Sequence, residues 1–549
     1  MRAAFNGTYQ GPSRPPKHTG TGGRPHETRP PHPGVRYGAT GLMTHVPSAA
    51  SLRPGMGSRA RPVRWLTPFL IGAAILCAVA AVNRGPFYFY DTLGYLRTAG
   101  QALERVLGLP AVTPVQPERD AFNPAPATGE DANVKWGNRS VYFGLVLAVA
   151  DRLNAISLVV VAQGLLAAWL LLLCWRLYGP RKAGTWGYLG LCAFLSILTP
   201  LGFYVAYLMP DLLFGLLLIA LPLLLFEADR LAPWERAGLL LLVLFASLSH
   251  MAAVLFLGGL LVLGWILARF VAQVRPRRTL TAAILGAAIL GIAGTWAVGK
   301  ISERVFGQPA LWPPFILARV TADGPGTLYL QDVCPREPER FVLCRYLADL
   351  PPENSDAFLW ESTTHQGILF RASNAEQRRM IREQWDVVIP AVLAHPWLQL
   401  RASAWNAWRQ LWLFGVEEFA WEDRLRRQTA ALFPTQLDDL DRTRVANTTM
   451  AWWRPVNLVH GVVLLAAVAL ILARLLAGLL RPAQPEEARR ETAWLLLLLA
   501  GVALNAVLSG VLAEPHSRYG ARVIWVLPLA AALLLLRRHA MGRPGPGSP

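Results

Sequence analysis

Phe87-Tyr88-Phe89-Tyr90-Asp91-Thr92-Leu93-Gly94-Tyr95-Leu96-Arg97 follows directly on the first long apolar run, Trp65 to Val82. Four consecutive aromatic rings ahead of a carboxylate have the character of a membrane-water boundary, where amphipathic rings settle at headgroup level. The order apolar run, aromatic collar, acid puts Asp91 at the mouth of a bundle of membrane helices. A carboxylate at that depth loses hydration and is expected to meet a cation, a substrate or water.

Outward from this stretch the composition supports the same setting. The chain has 549 residues, 53% of them hydrophobic and only 16% charged, with a mean hydropathy of +0.33. That is more apolar surface than a soluble core of this size needs, so the lipid bilayer is an expected partner. A net charge of +18 would suggest nucleic acid in a soluble chain. Here the arginines cluster beside apolar runs, which is the signature of membrane topology, and no nucleic-acid partner is expected. Lys17, Lys135, Lys182 and Lys300 are the only lysines among 53 basic residues, a bias from which no function follows.

An apolar run of about 20 residues spans a bilayer as a helix. Such runs fall at 65 to 82, 155 to 175, 186 to 207, 209 to 226, 237 to 249, 251 to 270, 280 to 298, 456 to 475, 492 to 513 and 519 to 536. They predict an all-α polytopic membrane protein with about ten transmembrane helices, within a range of about eight to twelve. Val141 to Leu153 is apolar but short, which suits an interfacial or re-entrant segment. Residues 1 to 62 are rich in Pro, Gly, Arg, His and Ser without apolar periodicity and predict a disordered basic tail. Trp65 to Val82 then reads as an uncleaved signal anchor, with Met43 or Met56 as alternative starts.

Loop charge orients the spans. With the Arg-rich N-terminus cytoplasmic, the inner loops carry Arg176, Arg181 and Lys182; Arg230 and Arg236; Arg275, Arg277 and Arg278; Arg481, Arg489 and Arg490; and Arg537 and Arg538. Every short inner loop is then basic, and both termini are expected in the cytoplasm. The domain expectation is a tail at 1 to 62, an N-terminal bundle at 63 to 298 with a first outer loop at 83 to 139, and a small, mainly helical extracytoplasmic domain at 299 to 454. C-terminal transmembrane helices at 455 to 538 and a disordered tail at 539 to 549 complete it. Cys334 and Cys344 share one polar loop on the oxidising side and are the candidate disulfide, whereas Cys77, Cys174 and Cys192 lie in apolar runs.

Within the outer domain, Ser373-Asn374-Ala375-Glu376 reads as a capping box that opens a helix towards Ile389, with Pro390 and Pro396 expected to break it. Beyond Pro396, Trp405, Trp408 and Trp412 recur at i, i+3 and i+7 on one helical face. Such a face either packs or lies on the outer leaflet, since Trp suits both settings.

The expected topology gathers polar residues on one side: Asp91 and Arg97, Asp211, His250, then Glu514, His516, Arg518 and Arg522. An ionisable group costs roughly 2.5 to 3.5 kcal/mol at a helix centre, so this clustering suggests a lined cavity. Asp91 is either an ion-pair partner of Arg84 or Arg97 that anchors the first loop, or a general base taking a proton from an acceptor hydroxyl. Asp211, after Met209-Pro210, is either a charge complementing the helix that follows or a second catalytic carboxylate. His250 reads first as a structural histidine. Glu514-Pro-His-Ser-Arg-Tyr-Gly-Ala-Arg522 brings two guanidinium groups and an imidazole to the entry of the last helix, and Arg518 and Arg522, four residues apart, suit a phosphate. A single arginine would be explained as a snorkelling anchor.

The sequence has no Gly-x4-Gly-Lys-Ser/Thr loop, CxxC pair, His-Glu-x-x-His or Gly-x-Ser-x-Gly motif, which argues against nucleotide chemistry, structural zinc and an elbow hydrolase. No cofactor is indicated with certainty and no metal ligand set is assigned. A divalent metal stays open through Asp91, although a lone carboxylate makes a poor site.

Asp91 with Tyr95 early in the first outer loop, the Pro210-Asp211 turn, and Arg518-Tyr519 ahead of a final helix containing Pro528 resemble the GT-C class of integral membrane glycosyltransferases. That class includes protein O-mannosyltransferases and the lipid A aminoarabinose transferase. The resemblance covers about residues 65 to 540 and implies a bacterial enzyme of the inner (cytoplasmic) membrane that uses a polyprenyl-phosphate-linked sugar donor on the outer face. It implies Asp91 as catalytic base and Arg518 or Arg522 on the donor phosphate. The chain departs from the class in carrying Thr92 after Asp91, where many members have paired acids, which puts metal use in question.

The leading expectation is a glycosyltransferase that moves a sugar from the lipid-phosphate donor to an envelope lipid, glycan or protein. The alternatives are a flippase or exporter of anionic lipid-linked material, which would show internal repeats or broken spans, and an O-antigen polymerase or ligase-like enzyme built on Arg319, His365 and His395.

Overall fold

The computed structural model describes residues 63–109, 137, 139–180, 183–307, 309–361, 367–420, 422–448, 450–480 and 484–541. The expected tail at 1 to 62, residues 110 to 136 and 138 of the 83 to 139 loop, and residues 542 to 549 lie outside the described residues.

The described chain is helical, and its lone β-bridge joins Phe87 to Tyr207. In order come α1 (Val63–Leu76), α2 (Tyr90–Leu107), α3 (Val141–Arg152), α4 (Ser157–Tyr178), α5 (Gly184–Leu198), α6 (Leu212–Phe226), α7 (Pro233–Ser249) and α8 (Met251–Leu267). Then follow α9 (Arg278–Phe306), α10 (Phe315–Ala322), α11 (Asn374–Ala394), α12 (Pro396–Trp412), α13 (Trp453–Leu479), α14 (Glu486–Leu512), α15 (Ser517–Ile524) and α16 (Val526–Met541), with further short helices between them, among them Pro325–Val333 and Asp423–Leu432.

Among the described residues six helices are long and apolar enough to cross a membrane: α4, α8 with its terminal π turn, α9, α13, α14 and the α15–α16 pair. Trp65–Leu76, Gly184–Leu198 and Leu212–Phe226 are apolar but shorter. The chain is an all-α membrane protein. Counting apolar runs overlooks where they break. The run at 186 to 207 stops at Thr199, which is extended because the residue before Pro200 is sterically driven out of the helical region. The run at 519 to 536 turns at Trp525, whose indole N–H donates to the Arg522 carbonyl, and Pro528 falls in the first turn of α16, where no N–H is needed. α6 is buried on every side, so it is the central element of the core.

Ion pairs sort the helix ends. At one end Glu227, after α6, accepts from Tyr178 (3.2 Å) and Arg230 (3.1 Å) and lies 3.8 Å from Arg490. Arg176 clamps Glu235 at the start of α7 (2.6 Å), while Arg474 and Arg537 both reach Glu491 (2.8 and 3.0 Å). The C-terminal ends of α4, α6, α13 and α16 and the N-terminal turns of α7 and α14 therefore share that end. The opposite end holds Asp91, Asp211, His250 and the start of α15.

Residues 299 to 454, expected as one domain, contribute to two cores. Leu317, Leu330, Phe358, Leu369, Met380 and Val387 form a cluster of their own. Cys334 and Cys344 are disulfide-bonded beside it, with Cα atoms 5.2 Å apart, and Cys77, Cys174 and Cys192 are free. Val416, Phe419, Leu425 and Phe433 join the bundle core instead. Ser373 caps α11 through a capping box with Glu376. Pro390 does not break that helix, which runs to Ala394: the only hydrogen bond it removes is to the carbonyl of exposed Asp386. α12 begins at Pro396, where a missing N–H costs nothing.

Candidate functional site

The aromatic collar is sewn to the segment before Asp211. Phe87 N–H donates to the Ala206 carbonyl (2.8 Å), and Leu208 N–H to the Phe87 carbonyl (3.1 Å). Thr92 completes the seam, since its hydroxyl donates to the Leu208 carbonyl (3.1 Å) and accepts from Phe89 N–H (3.0 Å) at the start of α2. Thr92 is fully buried, so the position where a second acid was looked for is a structural clasp. This clasp brings the Asp91 and Asp211 regions together.

Asp91 is met by arginines from outside its own helix. Its Oδ1 accepts from Arg139, and its Oδ2 lies 3.8 Å from Arg518. Arg139 is held near by Ser140, which caps α3 and donates to the Leu248 carbonyl at the end of α7 (2.7 Å). The Arg518 guanidinium sits over the rings of Phe89 (4.3 Å) and Tyr519 (4.8 Å) and donates to the Tyr519 hydroxyl (3.0 Å). Its Nε is buried with no hydrogen-bond acceptor, the nearest carboxylate oxygen being Glu418 Oε2 at 3.5 Å.

Glu418 arrives on an irregular segment anchored by Phe419, whose ring packs against Phe87 (5.3 Å), Tyr204 (5.5 Å) and Tyr207 (4.5 Å). It accepts from Arg518 N–H (3.1 Å) and faces His516 Nδ1 (3.5 Å), while His516 Nε2 meets Asp356 at 2.7 Å. Burial pulls the His516 imidazole down, but the hydrogen bonds to Asp356 and Glu418 outweigh it and push it up to about 10. Burial likewise raises Glu418, yet His516 and Arg518 hold it below the ordinary glutamate value.

The remaining expected residues have other employment. Arg522 is buried with a partner on each guanidinium nitrogen: Asp211 (3.3 Å), Asn505 (3.0 and 3.1 Å) and Ser509 (3.2 Å), with its guanidinium 3.6 Å over the Phe214 ring. Asp211 makes no side-chain cap to α6 and serves as counter-ion to Arg522. The two arginines of α15 therefore diverge, and a shared phosphate grip is not what the helix presents. His250 caps α8 by accepting from Ala252 N–H (3.2 Å) and packs on Phe214. Glu514 is bound to Arg319 (2.8 Å) and Ser355 (3.1 Å), which ties the end of α14 to α10. Tyr95 is a buried packing residue against Phe143, and Arg97 is half-buried on α2.

The donors do not suit a divalent cation. Asp91 is flanked by two guanidinium groups that repel one, and among the described residues no three His, Cys, Asp or Glu side chains converge. Arg139, Glu418 and Asn505 were missed in the sequence. Arg139 lies 48 positions after Asp91 in the sequence, with no pattern that pairs the two, and Glu417-Glu418 sits in a stretch of sequence with no helical pattern. Compared with known proteins, the chain matches no family model, no curated protein sequence and no solved structure.

Proposed function

We propose that the chain is a membrane glycosyltransferase of the GT-C kind, taking a sugar from a polyprenyl-phosphate-linked donor to an envelope acceptor. The observation that supports this is the meeting of Asp91 and Arg518, from opposite ends of the chain, with one guanidinium N–H still lacking an acceptor. In the proposed reaction Asp91 takes the proton of the acceptor hydroxyl as its oxygen bonds to the anomeric carbon. The bond from that carbon to the donor phosphate oxygen breaks, and the phosphate leaves with the electron pair, neutralised by Arg518. Arg139 orients the Asp91 carboxylate, and the rings of Phe89 and Tyr519 hold the Arg518 guanidinium flat.

The reading also holds that this end of the bundle faces the extracytoplasmic side of a bacterial inner membrane, with both termini cytoplasmic and about ten spans once the shorter apolar helices are included. The support is the gathering of Arg176, Arg230, Arg490 and Arg537 at the other end. Reporter fusions after Gly129 and Arg181 test it, and a cytoplasmic Gly129 overturns the site.

The decisive experiment compares envelope glycolipids and glycans from cells lacking the protein, complemented with wild type or Asp91→Asn. Loss of one sugar in both the null and the mutant supports transfer. Full activity of a normally inserted Asp91→Asn protein sinks it, and accumulation of a complete lipid-linked precursor on the cytoplasmic face decides for export.

A further inference from the structure

α12 is amphipathic in the inverted sense. Its polar face is turned to the protein: Gln399 and Asn406 donate to the Asp323 carboxylate (2.8 and 3.0 Å), and Gln410 exchanges hydrogen bonds with the His516 backbone (2.8 and 2.9 Å). Its apolar face is left outside. Trp397, Trp405, Trp408 and Trp412 are each half or more exposed, and the end of α11 continues the ridge through Ile389 and Leu393. The tryptophans at i, i+3 and i+7 therefore do not pack against the rest of the chain. A soluble surface would present the opposite arrangement, and an exposed aromatic ridge of this size marks a contact.

We infer that the α11–α12 elbow is seated in a phospholipid leaflet, with its tryptophan ridge in the boundary between headgroups and acyl chains and Arg401 placed to meet lipid phosphate.

Two further observations select lipid over a protein partner. First, α12 is pinned to a membrane-crossing helix. A Cβ on Gly510, in the last turns of α14, would lie 2.6 Å from the Asn406 carbonyl oxygen, so the absence of a side chain there lets the two backbones touch. The exposed ridge thereby continues the apolar surface of a helix that meets lipid already. Second, Arg401 lies within the ridge, one helical turn from both Trp397 and Trp405. It is exposed, with no ion-pair or hydrogen-bond partner among the described residues. A cation flanked by indole rings matches the headgroup layer, where the rings lie about 5 to 10 Å deep and the guanidinium reaches a phosphate. A hydrophobic protein partner would bury that charge unpaired.

The inference does not rest on the transferase reading. Its test uses the full chain with Cys77, Cys174 and Cys192 replaced by alanine, in nanodiscs of phosphatidylcholine and phosphatidylglycerol. Nitroxides are placed through Trp405→Cys, Leu393→Cys and, as the water reference, Arg442→Cys; Leu400→Cys stands in if Trp405→Cys does not insert. The expected result is collision with oxygen several-fold above collision with a water-soluble nickel chelate at Trp405 and Leu393, and the reverse at Arg442. Arg401→Gln is expected to shift the Trp405 label towards water-like collision only in discs rich in phosphatidylglycerol. Nickel accessibility at Trp405 equal to that at Arg442 overturns the proposal. So does exclusion of both reagents with spin coupling between copies, which would make the ridge a protein interface. An Arg401→Gln protein indistinguishable from the parent overturns the phosphate contact.

Discussion

The two ends of the bundle are built from the same chemical parts, carboxylates and guanidinium groups, and they differ in how completely those parts are used. At the arginine-lined end Glu227, Glu235 and Glu491 each take two or more donors, and every one ties two or more helices together. At the Asp91 end Arg522 and Arg319 are saturated in the same way. Asp91 and Arg518 are not: they stand 3.8 Å apart, beyond hydrogen-bond reach, and Arg518 Nε is buried without an acceptor. A saturated buried network resists change because each group would be left unpaired. An unsaturated one retains a preference for an incoming anion. Arg489 Nε at the arginine-lined end is also buried without an acceptor, so what separates a site from a latch is the facing of Arg518 by Asp91 and Glu418 at 3.8 and 3.5 Å, not the orphaned N–H alone.

The largest effect is expected from Arg522→Met. It leaves Asp211 buried without its counter-ion, and breaking such a pair by one partner costs about 3 to 5 kcal/mol. Thermal unfolding in detergent should show it, and an unchanged melting temperature would remove Arg522 from the latches. Arg518→Met should do the reverse. Its ion pairs to Asp91 and Glu418 are 3.8 and 3.5 Å long, at or beyond hydrogen-bond reach, so stability should fall by less than in Arg522→Met. Sugar transfer should drop by about 10²- to 10³-fold if Arg518 meets the leaving phosphate. Comparable losses of stability in both variants would erase the distinction between the two arginines.

A smaller effect is expected at the other end. Glu235→Ala removes the clamp from Arg176 and the hydrogen bond from Ala232 N–H that closes the first turn of α7. Charge-assisted hydrogen bonds contribute about 1.5 to 3 kcal/mol, and Arg176 is half-exposed and can be rehydrated, so the lower figure applies. Transfer by the surviving folded protein should be normal. A specific loss of transfer would show that this end takes part in the chemistry.

The sorting of charge was legible in the sequence because it depends only on which apolar run each arginine borders. The helical class was legible for the same reason. The continuity of the runs was not, since Thr199 before Pro200 and the turn at Trp525 interrupt helices without lowering hydropathy. Nor was the divergence of Arg518 and Arg522. A spacing of four puts two side chains on one face, but α15 is wedged so closely that a Cβ on Gly520 would lie 1.9 Å from the Leu413 carbonyl oxygen. One arginine is directed inward to Asn505 and the other to Glu418. Glu418 itself could be found only through tertiary contact, because Phe419 among the collar rings, and not any local pattern, sets its place.

The smallest expected effect concerns the latch that joins His516 to Asp356 and Glu418, and it discriminates by its dependence on pH. The folded imidazole titrates at about 10, above its ordinary 6.5, so its contribution is complete below 6.5 and is lost as pH rises towards 10. Glu418 is held below its ordinary 4.5, so its contribution is present above that value and is lost only as pH falls further. The melting temperature of the wild type should therefore decline between pH 7 and 10 relative to that of His516→Gln, by an amount corresponding to about 1 kcal/mol or less for a partly exposed pair. Parallel pH profiles for the two proteins would mean that His516 is neutral in the folded state. Glu418 would then lack one of its two cationic neighbours and press more strongly on Arg518, moving the site towards saturation and weakening the contrast between the two ends.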